Sequence, residues 1–189
     1  MRVDSRSPYV INTHDLGRRP GSMRTREMSV PAPTDLGVEL LGVPEGSPVQ
    51  LQLRLEAVME GVLVSGSARA QLTGECGRCL APIEDDLEVE LQELYVYPES
   101  DAEEDEASRL EGELLDLEPV LRDSVVLALP FQPVCRPDCQ GLCLECGARL
   151  DDHPGHQHTA SVDPRWASLA ALKTDDAAAI TEMGSEDEE

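Results

Sequence analysis

The sequence predicts an α+β protein: an antiparallel, barrel-like sheet with a packed helix, a Cys-rich zinc-binding loop region and a short C-terminal helix. Three observations lead there. Apolar and polar residues alternate over much of residues 49–97, an apolar helical face follows a proline at 119, and six cysteines fall in two short pieces. A length of 189 residues suits one domain, or one domain with tails.

Taken in order, Tyr9-Val-Ile-Asn-Thr13 reads as a short strand, and Asp15-Leu-Gly-Arg-Arg-Pro-Gly21 as a turn-rich connection. Val49, Leu51, Leu53 and Leu55 alternate with Gln50, Gln52 and Arg54. After a turn at Glu60-Gly61, Val62, Val64, Gly66, Ala68, Ala70 and Leu72 alternate again, which predicts an antiparallel hairpin with one buried face. Leu87, Val89 and Leu91, followed by Leu94-Tyr-Val-Tyr97, give a third strand that Pro98 ends. Leu114-Leu-Asp-Leu117 reads as a return to the sheet. Glu118-Pro119 opens a helix, with Val120, Leu121, Ser124, Val125 and Ala128 on one face and Pro130 as its stop. Asp163-Pro164-Arg165-Trp166 opens the terminal helix, whose apolar face continues through Leu169 and Leu172.

Charge divides the chain. There are 15 Lys+Arg against 38 Asp+Glu, a net charge of −23. Residues 1–28 hold six arginines against three acids, or +3, which leaves −26 for the rest. The acid concentrates in Glu99-Ser-Asp-Ala-Glu-Glu-Asp-Glu106 and in the tail that ends Ser185-Glu-Asp-Glu-Glu189. Both stretches repel themselves and carry too little apolar surface to offset the entropy of ordering, so they read as solvated, disordered segments. Such a balance argues against a broad basic groove for nucleic acid or a polybasic membrane footprint. The best local RNA-binding candidates are Arg18, Arg19, Arg24 and Arg26, weighed against a solvated arginine-rich arm. The longest aliphatic run is Val125–Leu129, far short of a membrane span, and the opening 21 residues hold no apolar signal core, so a cytoplasmic protein is expected.

The cysteines form the pattern C-x2-C-x55-C-x3-C-x3-C-x2-C. In a reducing compartment a metal site is the better reading than a disulfide framework. Cys135, Cys139, Cys143 and Cys146 lie within twelve residues and are the primary candidate for one zinc ion, because a C-x2-C turn followed by glycine aims two thiolates at one point. Cys76 and Cys79 are a weaker pair, and with His156 and His158 they form a candidate second site. His153 lies in the same loop, and the three histidines also read as exposed loop residues. One zinc ion, or two, is therefore expected. A closed four-thiolate site leaves no position for substrate, which makes the metal structural. Phosphate-loop, G-x-S-x-G and H-E-x-x-H signatures are absent from the sequence, and a non-enzyme is expected.

In combination, several motifs resemble the YceD family, that of the large ribosomal RNA subunit accumulation protein. They are Cys76-Gly-Arg-Cys79-Leu80, Leu129-Pro130, Cys135-x3-Cys139-Gln-Gly-Leu-Cys143-x2-Cys146-Gly147, and Asp163-Pro-Arg-Trp166 with Leu169 and Leu172. The opening Ser7-Pro8, Asp15–Gly21 and Val30-Pro31 resemble its actinobacterial branch. Members often carry C-x-C where this chain has His156-Gln-His158, which keeps two metal ligands. Some relatives keep only the first C-x2-C, so metal is not essential to the family's function.

The resemblance implies a YceD-like domain at 9–173, preceded by a terminus, residues 1–8, that is expected to be flexible. Within that domain lie an acidic loop at 99–112 and a Cys/His-rich metal-binding segment at 135–158, and a disordered acidic tail follows at 174–189. It also implies a role in accumulation or processing of 23S-type ribosomal RNA. The partner would be a large-subunit rRNA precursor, a basic ribosomal protein, or both; no DNA or membrane partner is expected. A zinc-ribbon interaction or regulatory module unrelated to ribosomes stays open as the alternative, with redox sensing by zinc thiolates behind it.

Overall fold

The computed structural model describes residues 4–100 and 108–158, together with Arg165. Two compact units divide the chain, residues 1–142 and 143–189. The expected C-terminal helix at 163–173, Arg165 apart, the tail at 174–189 and the centre of the acidic loop lie outside the described residues.

The first unit is built on a seven-stranded sheet. Its centre is the alternating sequence read above: β5 (Pro48–Ala57), β6 (Gly61–Glu75) and β7 (Pro82–Val96) are successive antiparallel neighbours. Along β5 the apolar residues Val49, Leu51, Leu53, Leu55 and Ala57 are buried and the residues between them face outward, as period-2 alternation requires. Ahead of them, β2 (Met23–Pro31) pairs with β5 from Met23↔Glu56 to Pro31↔Pro48. The short hairpin β3 (Gly37–Val38) and β4 (Leu41–Gly42) joins the same edge of β6 beyond the end of β5, at Leu41↔Gly74. On the far side, β8 (Ser108–Arg109) adds two residues to β7 in parallel.

A separate ribbon pairs β1 (Val10–Asn12) with β9 (Leu114–Asp116), so the Leu114–Leu117 segment returns to the N-terminal strand and not to the main sheet. The helix α1 (Glu118–Ala128) starts as expected with proline in its first turn, and the Asp116 carboxylate accepts the Glu118 N–H at 3.0 Å. Its buried face is Leu121 and Val125; Ala128, expected on that face, is exposed, and Leu129 just past the helix is buried instead. Arg122 fastens the helix by donating to the carbonyls of Thr34 and Asp35.

Contrary to expectation, the sheet does not close into a barrel. Closure requires the outer strands to pair with each other. Among the described residues, β2 pairs only with β5, and the outer edge of β7 meets only β8. The apolar face is covered by other elements. Ile11, Leu115, Leu117, Leu121 and Val125 join Leu51, Leu53, Val64 and Leu91 in one core. Tyr95 seals this arrangement by donating its hydroxyl to the Asp116 carbonyl at 2.7 Å, and the Tyr9 hydroxyl donates to the Pro31 carbonyl.

Candidate functional site

The first cluster grows out of the β6–β7 connection. Glu75 and Pro82 are the last paired residues, so six residues must reverse the chain. The Cys76 N–H donates to the Ala81 carbonyl at 2.8 Å, and the Leu80 N–H donates to the Cys76 carbonyl at 2.9 Å. Leu80 takes the left-handed conformation (φ 56°) that such a turn demands. Its interior brings in a second segment: the Gly77 N–H donates to the Pro133 carbonyl at 2.8 Å, and the Arg78 guanidinium donates to the Cys139 carbonyl at 3.1 Å.

As a result four sulfurs converge, those of Cys76, Cys79, Cys135 and Cys139, all within 4.8 Å of one another. The Cys76–Cys139 and Cys79–Cys135 separations are 3.8 and 3.6 Å. A tetrahedral ion with bonds of about 2.3 Å to sulfur has ligand–ligand edges of about 3.8 Å. Cys76, Cys79 and Cys139 are buried beside Ala81, Ile83 and Leu142, while Cys135 is exposed. Burial works to raise the Cys76 thiol, but the backbone N–H groups of Cys135, Cys79 and Arg78 outweigh it and bring the group down to about 6. Cys139 is pushed up to about 12, first by desolvation and then by facing the other sulfurs, and Cys135 is raised for the same reasons.

In the second unit, Cys143, Cys146, His156 and His158 bring their ligand atoms within 4.8 Å of one another. The C-x2-C turn closes through the Gly147 N–H to the Cys143 carbonyl at 2.9 Å and the Cys143 N–H to the Ala148 carbonyl at 2.8 Å, with Gly147 left-handed at φ 72°. A second turn, His153-Pro154-Gly155-His156, is closed by the His156 N–H on the His153 carbonyl at 3.0 Å. His156 Nε2 then lies 3.3 Å from Cys146 Sγ and 2.8 Å from His158 Nε2. Cys143 is held down at about 7 by the backbone N–H groups of Cys146 and Glu145.

These groupings differ from the expected ones. Cys135 and Cys139 stand with Cys76 and Cys79, and Cys143 and Cys146 stand with the two histidines. Proximity in sequence suggested that the last four cysteines share one ion. However, the Pro133 and Arg78 hydrogen bonds draw the front half of that run to the β6–β7 turn. His153 is not part of either cluster. Two contributors escaped the sequence reading, Arg78 and Glu145, and the only signal for either was its place inside a C-x2-C turn.

The arginine candidates separate as well. Arg18 lies over the Tyr97 ring, 4.7 Å from its centre, and within 3.4 Å of Glu99. Arg24 and Arg26 are exposed on one face of β2, and Arg19 is exposed before it. Among the described residues no helix is long and apolar enough to cross a membrane.

Fold and site define a small acidic sheet protein with two Cys/His clusters. Residues 64–173 match the family described as large ribosomal RNA subunit accumulation protein YceD, and the chain belongs to that family. It is 46% identical over 170 residues to an uncharacterized protein of Mycobacterium tuberculosis, covering 88% of this chain and 82% of that one. An uncharacterized protein of Mycobacterium leprae is 41% identical over 174 residues, covering 90% and 80% of the two chains. A chloroplastic maize protein, named large ribosomal RNA subunit accumulation protein YCED homolog 1, is 43% identical over 37 residues, which are 20% of this chain and 13% of the maize protein. No solved structure matches.

Proposed function

We propose that this chain is a non-enzymatic, cytoplasmic factor of large-subunit ribosome assembly that supports accumulation or processing of 23S-type ribosomal RNA. Membership of the YceD family carries the reading. A structural zinc ion at Cys76, Cys79, Cys135 and Cys139 ties the β6–β7 turn to residues 133–139. Sulfur separations near a tetrahedral edge and backbone N–H groups aimed at Cys76 support that assignment. Four thiolates fill a tetrahedral ion, so such a site holds the fold and offers no position for a substrate.

Charge ranks the partners. Non-specific RNA affinity comes largely from cations neutralising phosphates, and residues 29–189 hold 9 basic against 35 acidic residues. A basic ribosomal protein is therefore the first partner, attracted by the opposite charge, and precursor rRNA is contacted locally through the exposed arginines of β2 and its approach. Sucrose-gradient sedimentation of tagged protein tests the reading. Co-migration with large-subunit precursors is the expected result, and a wholly free pool with normal 23S rRNA on deletion would overturn it.

A further inference from the structure

We infer that Cys143, Cys146, His156 and His158 form a second, self-contained zinc site, and that Glu145 is its positioning residue. Geometry comes first. Bonds of about 2.0–2.1 Å to nitrogen and about 2.3 Å to sulfur give tetrahedral edges of about 3.3 Å for N–N and about 3.6 Å for N–S. The N–N separation is 2.8 Å, and the Cys146–His156 separation is 3.3 Å. Two imidazoles present the same nitrogen to one point. Together with Cys146 Sγ beside them, they bring the ligand atoms of neutral imidazole and thiolate to one point, as a shared cation requires.

Not one residue from Cys143 to His158 is buried, so this segment has no apolar core to hold its two turns together. Short segments without a core take their order from a metal or a disulfide, and all of these cysteines are free. The ligand set of two thiolates and two imidazoles suits zinc, and with both thiols ionised it neutralises the divalent charge.

Glu145 completes the site. Its Oε2 lies 3.3 Å from His158 Nδ1. A carboxylate at Nδ1 fixes the proton there and leaves Nε2 free to ligate, the arrangement that raises ligand basicity at zinc sites. All five residues fall within one sixteen-residue stretch, so the site does not draw on the sheet.

Cobalt titration of the full-length chain, reduced and stripped of metal, tests this. Wild type should take up two Co²⁺ ions. H156A/H158A should take up one, with the thiolate-to-cobalt charge-transfer band lower by about a third, because two of six Co–S bonds are lost. Glu145→Gln should weaken binding at this site alone by about 10–100-fold, leaving the four-sulfur spectrum unchanged. Should the histidine variant not fold, the unmutated chain supplies the readout: stripping cobalt should speed trypsin cleavage after Arg149, between the two turns, and restoring it should reverse the effect. A single cobalt ion indifferent to H156A/H158A would overturn this site and leave the four-cysteine site standing; no cobalt uptake would overturn both.

Discussion

The sulfurs of Cys79 and Cys135 lie 3.6 Å apart although 56 positions separate them in the chain. Between them run β7, the acidic loop, the β9 segment and α1. A metal at this point would close that whole excursion, and loop-closure entropy makes such long clips effective stabilisers. With that ion bound, the first unit would gain a fixed exit from its helix.

Replacing Cys139 with Ser should remove one zinc ion per chain and lower the unfolding temperature of the first unit, because structural metal binding is folding free energy. Metal analysis beside thermal unfolding checks it. Unchanged zinc and stability would show that the four sulfurs do not share an ion.

Leu121 is fully buried, whereas Leu127, on the same helix, is 85% exposed. Leu121→Ala should cost about 2–5 kcal/mol through lost burial and a residual cavity. Leu127→Ala should change stability by no more than about 0.5 kcal/mol. Urea unfolding of both variants would expose a misplaced helix if the two effects were alike.

Much of this architecture is legible in the sequence, and the exceptions have physical causes. The strands β5, β6 and β7 announce themselves because each has one buried face, and α1 because Pro119 opens an apolar face. By contrast, Arg24-Thr-Arg-Glu27 carries no apolar period, and β2 forms there because β5 offers it a backbone edge. Alternation shows that a face is buried and not what covers it, so barrel closure was the wrong completion. The grouping of the cysteines was hidden for a related reason: spacing makes each C-x2-C turn visible, but which pairs meet is decided by contacts such as Gly77 to Pro133.

Alkaline pH should destabilise the fold. Desolvation raises Tyr9 to about 12 and raises Tyr95 further. A raised folded value means that the native state keeps its proton while the unfolded chain releases it. Stability is therefore complete below about pH 10 and falls as pH rises through the folded values. Denaturation curves from pH 8 to 12 for wild type and Tyr95→Phe check this, and the variant should show a shallower alkaline decline.

For RNA contact, the variant with Arg18, Arg19, Arg24 and Arg26 all replaced by Ala should lose rRNA in pull-downs. Arg24 and Arg26 should account for most of the loss, because Arg18 is engaged with Tyr97 and Glu99. Each lost phosphate contact should reduce the salt slope of binding by about 0.7 for single strands. A quadruple variant that retains all rRNA would rule out direct contact through these arginines.

Crosslinking in cells, with identification of both RNA and protein partners, decides whether the protein works in large-subunit assembly. Precursor 23S-type rRNA and basic large-subunit ribosomal proteins should both be enriched. The protein association should weaken as salt rises from about 0.1 to about 1 M and the screening length falls from about 10 to about 3 Å. Recovery of non-ribosomal partners alone, with neither precursor rRNA nor ribosomal protein, would contradict a role in that assembly.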